Sequence, residues 1–163
     1  MRFGSRAGIR ECAVRFLGRR WAKHVAALLF FILVYGFLTY PVMTRPGYWV
    51  WGRPFEDAFE SIWYIEWYKQ AFFDLNVSPL HQPDIYYPHG WDLRFAILPP
   101  LYPTMLAPLT LALGSVAAYN YALLFSCVFA AYGTFLLAEQ VSGSWWGACL
   151  AGVLFSCSPQ REI

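Results

Sequence analysis

The sequence predicts an all-α integral membrane protein: about four transmembrane helices plus an amphipathic interfacial helix in a long first outer loop. Three observations lead there. The chain of 163 residues is 58% hydrophobic, 20% aromatic and 13% charged, whereas a soluble domain carries roughly a quarter charged residues and roughly 45–50% apolar ones. Its charge is segregated: Arg2, Arg6, Arg10, Arg15, Arg19, Arg20 and Lys23 face only Glu11 in residues 1–23, while residues 45–95 hold seven of the ten acidic side chains. Uncharged stretches of membrane-spanning length flank the acidic region. The same composition excludes a disordered tail, a collagen-like chain and a disulfide scaffold.

Residues 1–24 form a basic tail, which the positive-inside rule places in the cytoplasm. The expectation is a multi-pass protein of the cytoplasmic (inner) membrane with a cytoplasmic N-terminus. Arginines interleave with Phe3, Ile9, Val14, Phe16, Leu17 and Trp21, as in a helix on anionic lipid, although topology signalling alone accounts for the charge. No nucleic-acid reader module is visible, so no nucleic-acid partner is expected. Residues 25–44 read as transmembrane helix 1. Val25 to Met43 carries no charge, and about 20 residues at a rise of ~1.5 Å cross ~30 Å of hydrocarbon. The stretch ends in Tyr40-Pro41-Val42-Met43-Thr44-Arg45 with no small-residue cleavage site, so it is read as a retained span rather than a signal peptide.

Residues 45–95 form the extracytoplasmic loop, with the interfacial helix at about 54–73. Pro54 suits a first helical position, and Glu56, Asp57 and Glu60 crowd the first turns, where the helix dipole favours anions. Phe59, Ile62, Trp63, Trp67 and Ala71 recur at three- and four-residue spacing and make one apolar stripe. Glu66 and Lys69 stand three apart and can pair. A helix rich in Trp and Tyr beside a span belongs in the membrane interface. From Ser78 to Arg94 the loop is punctuated by Pro and Gly and reads as ordered but non-helical. His81/Asp84 and His89/Asp92 each have H-x-x-D spacing, which a metal could use but which two pairs in a Pro-rich loop do not establish.

Residues 96–163 read as transmembrane helices 2–4, truncated at the C-terminus. Phe95 to Ala138 holds no charge and breaks only at Gly114-Ser115, which gives spans near 97–113 and 118–138. Pro99, Pro100 and Pro103 fit the first turns of the second span, and Pro108 should kink its middle. Trp145 to Ser158 is a short fourth segment. Its Gly147/Ala151 and Ala148/Gly152 pairs make small-x-x-x-small faces that expect neighbouring helices. Of Cys12, Cys127, Cys149 and Cys157, none lies in the outer loop, so no structural disulfide is expected, and no zinc spacing is present.

The acids of the loop carry the chemistry available here. At the interface, Glu56, Asp57 or Glu60 can act as a general base on a hydroxyl, or hold a divalent cation that binds a phosphate. The same acids also simply complement a helix N-terminus. Ionisable residues inside the spans, which mark transporters, are missing.

Three stretches resemble landmarks of the GT-C superfamily of polytopic glycosyltransferases, in its uncharacterised bacterial and archaeal branch. Asp57-Ala58-Phe59-Glu60-Ser61-Ile62-Trp63-Tyr64-Ile65-Glu66-Trp67 is similar to that branch's acid followed by a W-x-x-x-W helix. Tyr86-Tyr87-Pro88-His89-Gly90-Trp91-Asp92-Leu93 is similar to its F-Y-P-x-G-x-x-L loop. Ala117-Ala118-Tyr119-Asn120, Ala131-Tyr132-Gly133 and Ala151 to Pro159 are similar to its A-Y-N, G-A-Y and A-G-x-x-F-A-F-S-P landmarks. The resemblance covers residues 52–159. It implies transfer of a sugar from a polyprenyl-phosphate donor to an extracytoplasmic acceptor, with Asp57, and Glu56 next in line, as the catalytic acid. Glu60, Trp63, Trp67 and His89 would bind substrate. Phe55 and Ala96 stand where relatives often carry a second acid and a histidine. Members of the superfamily also have more spans, so the implied partners are the lipid bilayer, the lipid-linked donor and further transmembrane helices. The chain is thus read as the N-terminal segment of such an enzyme, inactive by itself; the alternative is a non-catalytic truncated or accessory multi-spanning membrane protein.

Overall fold

The computed structural model describes residues 6–52, 57–95 and 99–157. Five α-helices hold most of them: α1 (Arg6–Leu38), α2 (Asp57–Lys69), α3 (Leu101–Leu113), α4 (Ser115–Ser142) and α5 (Trp145–Ser156). A π-helical turn, Gln70–Asp74, prolongs α2. Two short strands, β1 (His81–Gln82) and β2 (Trp91–Asp92), pair antiparallel with His81 opposite Asp92. The chain divides into two compact units, Met1–Leu38 with Cys127–Ile163, and Thr39–Ser126.

Among the described residues two helices are long and apolar enough to cross a membrane, Trp21–Leu38 within α1 and Ser115–Ser142, and 17% of an 18-residue apolar window in each is buried. The helix ends differ from the sequence reading for local reasons. The first helix stops at Leu38 rather than near 44, because Pro41 has no N–H to donate and its ring clashes with a helical carbonyl. The second apolar helix starts only at Leu101, just after Pro99 and Pro100. Pro103 is tolerated in its first turn, where an N–H has no intrahelical partner, and Pro108 stands inside it as expected. Gly114, at φ +83, ends α3 in a conformation that costs a glycine little, and α4 begins at the next residue. At 13 and 12 residues, α3 and α5 fall short of the roughly 20 that a straight crossing needs.

In the first unit, Ala27, Phe31 and Tyr35 of α1 are buried at four-residue spacing, as are Ala131 and Phe135 of α4 and Ala148, Gly152 and Ser156 of α5. Gly152 is the closest approach. A methyl group there would stand 2.7 Å from the Ala131 carbonyl oxygen and 2.7 Å from Phe31 Cζ. The Tyr35 hydroxyl hydrogen-bonds Ser156 Oγ, and the Ser156 hydroxyl donates to the Gly152 carbonyl at 2.6 Å. Of the two small-residue faces expected on the fourth segment, Ala148/Gly152 therefore packs within this chain, while Gly147 is exposed. We expect Gly152→Ala to destabilise the protein by about 2–3 kcal/mol, because a backbone carbonyl cannot rotate aside. Gly147→Ala meets nothing nearer than Ser144 Oγ at 3.4 Å and should leave the melting temperature unchanged. Thermal unfolding of the two variants side by side checks both.

In the second unit α2 is packed on two faces. Ala58, Ile62 and Ile65 lie against Tyr102, Leu106 and Leu109 of α3 and Ala118 and Tyr119 of α4. Tyr64, Trp67, Tyr68 and Ala71 lie against Leu93, with Trp63 and Trp91 at the margin. The single stripe expected from the sequence is thus redistributed: Phe59 is exposed, and Ala58 and Ile65 are in the core. The reason is the loop of residues 78–95, which folds back over the helix and supplies a second apolar partner. Leu93 N–H donates to the Leu80 carbonyl at 2.8 Å, and Val77 N–H to the Ala71 carbonyl at 2.9 Å.

Candidate functional site

Asp57 is the first residue of α2 and is exposed; Glu60, one turn on, is half-buried. Both lie in the first turn, where the free backbone N–H groups stabilise anions. Among the described residues neither has a cationic partner. Glu56, named with Asp57 from the sequence, lies outside the described residues. The acids therefore present charge at the mouth of a helix that is held rigidly on either side.

Glu60 shares its face of the helix with Tyr64, four residues on. The Tyr64 hydroxyl is buried without a hydrogen-bond partner among the described residues. Burial first, and then the nearby Glu60 charge, push the phenol up to about 12. The Glu60 carboxylate adds to that shift without completing a hydrogen bond of normal geometry. Tyr64 therefore stays protonated at neutral pH and offers an O–H beside an acceptor.

The aromatic residues divide by task. Trp63 is half-buried and stacks on Trp91, with ring centroids 6.4 Å apart and planes 20° apart. Trp67 is buried, and its Nε1–H donates to the Pro79 carbonyl at 2.8 Å. That bond spends its polar edge on holding the loop. Lys69 pairs with Glu66 at 2.7 Å, as its spacing predicted, and the carboxylate raises the Lys69 pKa above its ordinary value. His89 is exposed on the turn before β2, where its backbone N–H donates to Tyr86. No group of three His, Cys, Asp or Glu side chains converges as a metal site would need, among the described residues. Of the H-x-x-D residues, Asp84 accepts from Gln82 Nε2 at 3.4 Å. Gln82 Oε1 accepts from the backbone N–H of Ile85 at 3.1 Å, and Asp92 accepts from that of Arg94 at 3.0 Å.

An open cavity of about 240 Å³ is lined by Ser78, Leu80, His81, Asp92 and Arg94, none of them on α2. The His81 ring lies across Gly90, whose φ of +73 and lack of a side chain admit it; a methyl there would be 2.5 Å from the imidazole. The Arg94 guanidinium, bonded to both Asp92 oxygens, holds that carboxyl down to about 2. A carboxyl held below its unfolded value adds stability that is complete above pH 4 and lost as pH falls through about 2. We expect a carboxyl titration of Asp92 by NMR to have its midpoint near 2, and Arg94→Gln to return it toward 3.8. Because the pair is exposed, the accompanying change in global stability should be small.

No family model, curated protein or solved structure matches this chain. The site therefore has to be read from its own residues.

The feature that sequence reasoning did not assign is Asn120. It lies in the first turns of α4 and is 0% exposed. Its Nδ2 donates to the carbonyls of Pro46 and Trp49, each at 2.7 Å, and its Oδ1 accepts from Trp51 N–H at 3.0 Å. One amide thus satisfies three backbone groups of the segment that leads toward α2. Gly52 then backs so closely on Ala58 that a methyl at position 52 would stand 3.1 Å from Ala58 Cβ. The start of α2, and with it Asp57, is located by this clamp. The available signal was a lone amide within a long uncharged stretch, since such a group demands partners when buried.

Proposed function

We propose that this chain forms part of a polytopic glycosyltransferase of the cytoplasmic membrane, with its N-terminus in the cytoplasm. It would take a sugar from a polyprenyl-phosphate donor and attach it to an extracytoplasmic acceptor. The observation that carries the reading is Asp57: an exposed carboxylate at the N-terminus of a helix that is fixed on two faces and lies in sequence between two helices of membrane-spanning length. The membrane setting is supported by the bare apolar surface of those helices. Leu33, Phe37, Phe129, Leu137 and Val141 are each more than 60% exposed, and exposed apolar surface of this kind marks a contact with membrane or protein when it is contiguous. The resemblance of residues 52–159 to the GT-C superfamily supports the reaction.

In this reading Asp57 accepts the proton of the acceptor hydroxyl. The acceptor oxygen bonds to the anomeric carbon, the bond from that carbon to the phosphate oxygen breaks, and the lipid phosphate leaves with the electron pair. Glu60 orients a hydroxyl beside it, and further transmembrane helices complete the donor cavity. The test is transfer from a radiolabelled polyprenyl-phosphate sugar by the full-length protein in membranes, with Asp57→Asn as the variant. Loss of transfer at unchanged membrane content is the expected result; equal turnover sinks the assignment.

A further inference from the structure

Exposed aromatic side chains of the loop unit include Phe59, Tyr86 and Tyr87, and three more stand in the short segment that follows α1. Tyr40 is 71% exposed, Tyr48 76% and Trp49 48%. Nothing about this exposure is loose. Tyr48 and Trp49 N–H groups both donate to the Arg45 carbonyl, at 2.9 and 3.1 Å. The Trp49 carbonyl and Trp51 N–H are held by buried Asn120, and Val50 between them packs on the core of the unit. With Val50 packed on the core and the peptide groups on either side of it fixed, the direction in which the Trp49 Cα–Cβ bond leaves the chain is set. Tyr48 and Trp49 meet edge to face at 5.5 Å and form one ridge, with exposed Arg45 beside it.

The position of this ridge along the chain says what covers it. The apolar window of α1 is 18 residues, Trp21–Leu38. At ~1.5 Å per residue it spans ~27 Å, close to the ~30 Å hydrocarbon thickness, so the chain leaves Leu38 at the boundary of the bilayer. Tyr40 follows two residues later. Tyr and Trp combine an apolar ring with a polar edge and settle where headgroups meet acyl chains, and an arginine there reaches lipid phosphate. We infer that Tyr40, Tyr48 and Trp49 form a membrane-interface anchor that seats the loop unit on phospholipid. The element on the lipid is then this ridge, which follows α1 directly in the chain, whereas α2 buries Tyr64, Ile65, Trp67 and Tyr68 within the unit and leaves Phe59 exposed. The inference rests on the membrane part of the proposed function.

Photo-crosslinking in the full-length protein tests it. p-Benzoylphenylalanine is placed singly at Tyr48, Trp49, Leu29 in the middle of α1, and Gln70, an exposed polar position on the π turn. Each variant is reconstituted into vesicles of phosphatidylcholine and phosphatidylglycerol and irradiated, and lipid adducts are measured by mass spectrometry. The expected yields at Tyr48 and Trp49 exceed that at Gln70 about tenfold, the ratio that ~1.4 kcal/mol of preference for the interface produces. Their adducts should sit at the glycerol and upper acyl positions, and those at Leu29 deeper. Yields at Tyr48 and Trp49 equal to Gln70, with Leu29 still crosslinked to acyl chains, overturn the anchor alone. No lipid adduct at Leu29 overturns the membrane reading and the anchor with it. The probe is larger than the residues it replaces, but all four sites are exposed, and a variant that loses the parent's thermal transition is replaced by the same probe at Tyr40.

Discussion

Asp57→Asn in the full-length protein is expected to lower sugar transfer by about 10²–10⁴-fold, the range that a positioned general base supplies. Asparagine keeps the shape of the side chain and can still cap the helix, but it cannot take a proton from the acceptor hydroxyl. The structural cost should be small, because Asp57 is exposed and a first-turn acid stabilises a helix by about 0.3–1 kcal/mol. Glu60→Gln is the companion variant. It leaves Asp57 in place and removes the charge beside the Tyr64 hydroxyl, so it should raise KM more than it lowers kcat. Initial rates over a range of acceptor concentrations separate the two effects. An Asp57→Asn enzyme with parental kcat would remove the chemical role assigned to the loop, whatever its fold.

The second large effect is expected at Asn120. Asn120→Leu keeps approximate volume but deletes the amide that satisfies the Pro46 and Trp49 carbonyls and the Trp51 N–H. A buried backbone group left unpaired costs about 1–3 kcal/mol; these three bonds are part-buried, so their joint loss amounts to about 2 kcal/mol, a large share of the 5–15 kcal/mol that typically holds a domain folded. Hydrogen exchange should show the Trp51 amide losing protection, followed by the first turn of α2, because Gly52 rests on Ala58. Asn120→Asp should do no better: it keeps an acceptor for Trp51 but turns a carboxylate toward two carbonyls in a fully buried place. An Asn120→Leu protein with parental exchange at residue 51 would mean that the clamp is dispensable.

How much of this could be read from the sequence depended on the range of the interaction concerned. The helices announced themselves through uncharged runs bounded by Pro41, Pro99, Pro100 and Gly114, because proline and glycine act on the backbone within a turn of where they stand. The Glu66–Lys69 pair was equally legible, since three-residue spacing alone places the two side chains together. The limits of these helices were harder. Leu38 and Leu101 end and begin helices that hydrophobicity alone would have prolonged, since hydropathy measures burial and not backbone geometry. On α2 the aromatic and apolar residues run almost around the helix, so periodicity could propose a stripe but could not tell that Phe59 lies outside it and Ala58 inside. That distinction needed the loop of residues 78–95 and α3 to arrive from opposite sides.

The candidate site shows the same division. Asp57 and Glu60 were visible as acids crowded at a helix start, and Trp63 and Trp67 as aromatics one turn apart. Trp67 proved to spend its indole N–H on Pro79, and His89 to stand exposed on a turn. Tyr64 gave no signal at all, because a tyrosine among so many aromatics becomes distinctive only when its hydroxyl is buried beside a carboxylate. Gly152 belonged to a recognisable small-residue face, yet the helix that fills it, carrying Phe31, lies 121 residues earlier in the chain.

By itself, the sequence determined the helical class, the concentration of acid in the loop after the first apolar stretch and the placing of Asp57 near a helix start; of the four spans it proposed, two are helices of membrane-spanning length among the described residues. These follow from composition, periodicity and the backbone habits of proline and glycine, which act over a few residues. Only the tertiary structure decided which side of α2 meets which partner, that Ala148 and Gly152 find their neighbours within the chain, and that Asn120 holds the entry to the site while Tyr48 and Trp49 are turned outward. Those outcomes depend on buried polar groups finding partners some seventy residues away, and the need for a partner is legible in one residue while its identity is not.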